Sequence, residues 1–341
     1  MSDRKSTLKE GLKMELIGFE NISIRDQLIS LFRRLLIQFS EITDVSGLEG
    51  ISFCLTNELY AEKLRSLDDR LAPSNDEGVG VAMTVDKING EFGHNYIVIN
   101  CHYLQLEHLL EEYKDKTTKE KRGEVLNQFA YILFHEMCHV GNNVFLYDYY
   151  RDFAIKESYD NSLEAMRHAI SRVCWDEFLV CSEANRVGAD QLNNFENIII
   201  NITNSLEKKI GTIFKQYLIN ISDEQRYRVL FNETFILIYN FFKYASYYLG
   251  DIFTKEDIQI SDRVREHELG EFVIKLNQLL IEVYENIYTE NGALAQLDKI
   301  GDLAEELASS LGLEFYPVEG NDLYVSLSMN AQAKILSNKL C

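Results

Sequence analysis

His135-Glu136-Met137-Cys138-His139 sets two imidazoles four residues apart, with a carboxylate beside the first. On an α-helix, positions i and i+4 share a face, so both rings can reach one metal ion. Zinc takes imidazole nitrogen at roughly 2.0–2.1 Å, and a catalytic zinc site keeps three protein ligands and a water whose pKa falls toward about 7. Glu136 is then placed to accept that water's proton as it attacks a carbonyl, and to pass the proton to the leaving amine. Cys138 sits roughly 100° around the helix from His139 and reads as a small buried residue rather than a ligand.

The third ligand must come from elsewhere. Trp175-Asp176-Glu177-Phe178-Leu179-Val180-Cys181-Ser182-Glu183-Ala184-Asn185-Arg186 reads as a helix carrying acids within an apolar stretch. Glu177 lies among Trp175, Phe178 and Leu179, where a carboxylate needs a cation or a hydrogen-bond donor. Glu183 competes with it, although Arg186 offers Glu183 a plain salt bridge. Asp176 is expected to face solvent or to brace a histidine. The metal set expected from the residues is therefore His135, His139 and Glu177, with Glu183 as the alternative to Glu177. Donors to a developing oxyanion could be Tyr149, Tyr150, His168 or Arg186, which the sequence does not rank; His168 also reads as an ordinary helix residue.

HExxH followed by a downstream helical glutamate resembles the gluzincin group of zinc metallopeptidases, over residues 120–190. Glu183-Ala184-Asn185-Arg186 is also similar to the Glu-Ala-Asn segment of ImmA/IrrE-type bacterial metallopeptidases, which would favour Glu183 as ligand. The metzincin pattern is not matched: Asn142 holds its glycine position and Phe145 stands where its third histidine belongs. The thermolysin-like NExxxD pattern is absent too, since Trp175-Asp176 precedes Glu177 and Cys181 replaces its aspartate. The resemblance implies a zincin-like peptidase in which a small sheet packs on the HExxH helix and an edge strand aligns an extended peptide.

The elements that must position these residues follow from the local pattern. Val125 to Phe134 leads into the motif without proline or glycine and predicts a helix buried on most sides. Its start is expected near Thr117, with Glu120 completing a capping box, or later if Gly123 delays it, and its end at Gly141-Asn142-Asn143. Gly80–Val85 and Tyr96–Asn100 read as strands joined by an Asn89-Gly90 turn, the second being the one expected nearest the metal. Further expectations are a short strand and a helix (Ile24–Phe39) within 15–40, a strand at 51–56, a helix at 57–67 and another from His102 to Tyr113. His102 and His108 are expected at the surface or in caps. Beyond Ala189 the pattern predicts helices over 195–217, 223–249, 262–289 and 291–311, with N-caps at Ser222-Asp223 and Ser261-Asp262. The aromatic stripe from Tyr239 to Tyr244 reads as core, and 313–327 as a hairpin around Glu319–Asp322.

The fold expected is thus α+β and predominantly α-helical, with a small N-terminal sheet on the HExxH helix and a helical C-terminal region. The expected division is a metallopeptidase core over 1–190 and a mainly helical region over 191–341, within a chain of 341 residues. Lys+Arg 34 against Asp+Glu 54 leaves a net charge of −20, which argues against nucleic-acid or anionic-membrane binding. Six cysteines without paired spacing, and a start with no apolar stretch behind its charges, fit a cytoplasmic protein without a secretory signal. Two prolines with frequent Asn, Ile, Tyr and Lys suggest a bacterial or phage genome of low GC content. The expected activity is zinc-dependent hydrolysis of a peptide or protein substrate, with Glu136 as general base. The alternatives are a non-catalytic regulatory or interaction protein on a zincin scaffold, as in a phage, toxin–antitoxin or stress-response system, or a chance motif with no metal.

Overall fold

The structure is a computed structural model and describes residues 5–20, 25–73, 80–88, 91–106, 118–156, 158–219, 228–255, 258–287, 292–318 and 322–337. It is α+β and mainly helical, with a small N-terminal sheet followed by a helical C-terminal region. The chain divides into two compact units, Met1–Ile155 with Val180–Gln191, and Lys156–Leu179 with Leu192–Cys341. This division differs from the expected boundary near residue 190 by assigning 156–179 to the second unit. No helix among the described residues is long and apolar enough to cross a membrane.

The first unit is built on four strands, β1 (Lys13–Ile17), β2 (Leu48–Cys54), β3 (Ala82–Ile88) and β4 (Glu91–Asn100), in the order β1-β2-β4-β3. β1, β2 and β4 are parallel, and β3 lies antiparallel to β4 at the edge. Side chains alternate across a strand, so each strand feeds two layers. On one face Phe53 of β2 stacks on Phe32 of helix α1 (Arg25–Ser40) at 4.2 Å, and Phe32 meets Phe129 of α3 (Lys119–Tyr149) at 4.7 Å. On the other face Cys54, Val85, Tyr96 and Val98 pack with Tyr60 and Leu64 of α2 (Asn57–Leu67). α1 buries Leu28, Phe32, Leu36 and Phe39, the helical spacing of an amphipathic segment. The Thr56 hydroxyl caps α2 by accepting from the Leu59 amide.

α3 starts close to where it is expected and departs from expectation at its C-terminal end. Its N-cap is Thr118, whose hydroxyl accepts from the Lys121 amide, while Thr117 lies outside the described residues. It does not stop at Gly141 but runs through Asn142 and Asn143 to Tyr149. Gly141 serves close approach, not termination: a Cβ there would collide with the Thr43 hydroxyl and lie 3.2 Å from the Asp44 carbonyl. Asn143 is kept inside the helix because its side-chain amide donates to Asn95 Oδ1 on β4 at 2.8 Å, buried. A single-turn helix, α4 (Arg151–Ala154), follows. The helix expected from His102 is also corrected: Cys101–Leu104 forms a 3-10 turn, and Gln105 adopts φ +48°, which ends it. Residues 107–117, including His108, and the Asn89-Gly90 turn lie outside the described residues.

The second unit contains the first part of α5 (Ser162–Ala184), then α6 (Leu192–Ile219), α7 (Thr234–Phe253), α8 (Asp262–Arg265), α9 (Gly270–Asn286), α10 (Gly292–Ser310), a hairpin and α11 (Met329–Ser337). The hairpin pairs β5 (Leu313–Val318) with β6 (Asp322–Leu327), and its tip lies outside the described residues. Phe178, Phe253 and Tyr284 form one aromatic cluster, and Phe231, Phe235 and Phe315 another. Phe241 and Phe242 are fully buried, as the stripe on α7 predicts. Two expected helices are not continuous. Arg228–Glu233 is wound as a π-helix ahead of α7, and Ser222-Asp223 lies outside the described residues. The 262–289 segment breaks after Arg265, where Gly270 presses on the Val264 and Arg265 carbonyls so closely that a Cβ would stand 2.5 Å from each. Ser261 precedes α8 as expected, but its hydroxyl donates to Glu196 instead of capping.

Candidate metal centre

The middle of α3 carries a cluster of ligand-bearing side chains. His135 and Glu136 are 7% and 6% exposed, and His139 is half-buried. The two imidazoles stand edge to face, with His135 Nε2 and His139 Nε2 3.2 Å apart. Tetrahedral zinc with bonds of roughly 2.0–2.1 Å would hold two nitrogens about 3.3 Å apart, so the pair has the separation that a shared metal requires. Among the described residues, His135, Glu136 and His139 are the group of ligand-bearing side chains whose atoms all lie within 4.8 Å of one another. The cluster could therefore hold a metal ion.

A strand holds the carboxylate. Thr84 Oγ1 of β3 donates to Glu136 Oε2 at 2.7 Å and lies 3.1 Å from the Glu136 main-chain oxygen. Thr84 pairs with Ile97 of β4, which places its side chain on the face toward α3. Two residues on, Asp86 Oδ2 accepts from the Tyr147 hydroxyl of α3 at 3.2 Å. The strand whose hydroxyl meets Glu136 is β3, the edge strand and the first of the pair; β4, the strand expected nearest the metal, also packs on α3. Thr84 lies inside the strand expected over Gly80–Val85 but is not among the expected site residues. Period-two alternation through Ala82, Thr84 and Asp86 is the signal that would have singled it out. The Tyr60 hydroxyl is buried with no hydrogen-bond partner among the described residues; burial, then the Glu136 charge, raises its pKa.

The acids proposed as third ligand have separate surroundings. Glu183, half-buried in the first unit, pairs with Arg186 Nη1 at 3.1 Å, as the spacing suggested. Glu177, 5% exposed in the second unit, accepts from the Tyr247 hydroxyl at 2.9 Å, and Lys243 Nζ stands 3.7 Å from the same oxygen. A donor and an ammonium thus meet this carboxylate, where zinc was the partner expected. Asp176 is half-buried. Of the oxyanion candidates, Tyr149 is 73% exposed, Tyr150 ends α3, His168 is engaged with the Tyr159 hydroxyl and Arg186 with Glu183. His102 lies at the surface with its amide held by Asn100. Burial pushes the Cys54 and Cys174 thiols up to about 12, so both are neutral fillers. The chain matches no family model, no curated protein and no solved structure, so the reading of this centre rests on its own geometry.

Proposed function

We propose that the protein is a zinc-dependent peptidase in which His135 and His139 hold the metal and Glu136 acts as general base on a peptide or protein substrate. What carries this reading is the 3.2 Å separation of the two Nε2 atoms with the Glu136 carboxyl in the same group. Zinc, when bound, supplies a Lewis acid that polarises a carbonyl and acidifies water. Glu136 accepts a proton from the attacking water and delivers it to the departing amine. The third ligand is Glu177 by the sequence argument, with Glu183 as the alternative. β3, at the sheet edge beside Glu136, is the strand along which an extended peptide would pair by its main chain. Neutral, buried thiols such as Cys54 and Cys174 fit a reducing compartment, hence the cytoplasm.

Elemental analysis of the native protein and of His139→Ala, followed by cleavage of a mixed peptide library by native and Glu136→Gln protein, tests the proposal. One zinc per native chain, lost in His139→Ala, with cleavage abolished but zinc kept in Glu136→Gln, is the expected result. Zinc without cleavage by the native protein would make the centre a metal-binding scaffold, and no metal at all would remove the hydrolase reading.

A further inference from the structure

We infer that Thr84 is the positioning residue for the general base, so that the edge strand which would align the substrate also aims the Glu136 carboxylate. The inference rests on the hydrolase reading above and adds to it a residue outside the HExxH pattern. The 2.7 Å contact from Thr84 Oγ1 to Glu136 Oε2 is a close O–H···O hydrogen bond, and such a bond to an ionised carboxylate is roughly twice as strong as a neutral one. Glu136 is 6% exposed, so protein groups rather than bulk water set the direction of its carboxyl.

Thr84 is itself well anchored. It is β-branched and therefore stiff at χ1, it pairs with Ile97 within the sheet, and the Asp86–Tyr147 bond ties the same strand to α3 two residues further on. The hydroxyl does not touch a reacting atom in this scheme; it acts through Glu136. A base turned away from its proton loses rate without losing substrate affinity, and misplacements of about 1 Å can cost on the order of 10²-fold.

The test compares Thr84→Val, which keeps the shape and removes the hydroxyl, with Thr84→Ser, which keeps the hydroxyl, in the full chain. With a peptide the native protein cleaves, Thr84→Val should lower kcat by about tenfold or more while KM changes by less than about twofold. Zinc content should equal that of the native protein, and Thr84→Ser should stay within about threefold of native kcat. Crystal structures give a readout independent of turnover: Glu136 should keep its rotamer in Thr84→Ser and turn away in Thr84→Val. Thr84→Ala, which adds no volume, replaces the valine variant if that chain does not fold. Native kcat in the valine or alanine variant overturns the inference, as does a serine variant that falls equally far. If the native protein neither binds zinc nor cleaves peptides, the hydrolase reading fails; an unmoved Glu136 in Thr84→Val would then separately defeat the positioning role.

Discussion

Glu136 in the first unit and Glu177 in the second are buried to nearly the same degree, 6% and 5% exposed, yet their neighbours differ in kind. Glu136 receives the hydroxyl of Thr84 from a strand and stands beside two imidazoles one helical turn apart. Glu177 receives a phenolic hydroxyl and, at 3.7 Å, an ammonium from α7. A hydroxyl satisfies a lone pair but brings no positive charge, whereas Lys243 supplies one inside its own unit. Burial alone therefore does not set a carboxylate's surroundings; what the facing element contributes does. In the first unit, strands meet α3 with small polar groups, as in Thr84–Glu136 and Asn95–Asn143. In the second, α7 meets α5 with long side chains whose stems pack while their heads bond.

The sharpest way to break this comparison is His139→Ala, which should take zinc content from one per chain to near zero and abolish hydrolysis, read by elemental analysis and peptide cleavage. Glu136→Gln should keep the metal and lower kcat by about 10²- to 10⁴-fold, the range for a lost general base; a variant with native turnover would end Glu136's role. Glu177→Gln and Glu183→Gln probe the third ligand: loss of zinc in one of them alone would identify it, and zinc kept in both would exclude both acids.

Smaller effects test how the first unit holds its helix. Asn143→Ala should destabilise the protein by about 1–3 kcal/mol because Asn95 loses a buried donor, measurable by urea unfolding. Gly141→Ala should cost a similar amount, about 1–3 kcal/mol, by forcing a methyl against Thr43. The smallest effect is pH-linked. Burial raises the Glu15 pKa, but hydrogen bonds from Lys13, Lys63, Ser52 and Tyr96 outweigh it and lower the value from 4.5 to about 2. A lowered folded-state pKa stabilises above the unfolded value and is lost as pH falls through the folded one. The stability difference between native and Glu15→Gln protein should thus be full above pH 4.5 and fade toward pH 2. A difference that stays constant over that window would contradict the network.

Much of the fold is legible locally. The helix at 57–67 is bounded by a threonine cap and the stripe of Tyr60 and Leu64, so it needs no distant information. The terminal hairpin follows from alternation in 313–318 and 322–327. Gly141 misleads for a physical reason: a glycine that ends a helix and one that admits a neighbouring backbone look alike until Thr43 and Asp44 are in place. The break at Gly270 has the same origin, since the contact with the Val264 and Arg265 carbonyls is made only once the chain has turned.

The motif's own spacing determined that His135 and His139 share a face, because the α-helical repeat is a property of the backbone and requires no partner. The same holds for the expectation that Glu177 needs a cation or a hydrogen-bond donor, which follows from the apolar residues around it. That Thr84 of β3 reaches Glu136 was decided by strand order and register. Those depend on which surfaces bury together across 52 residues of chain, a separation over which local pattern carries no information.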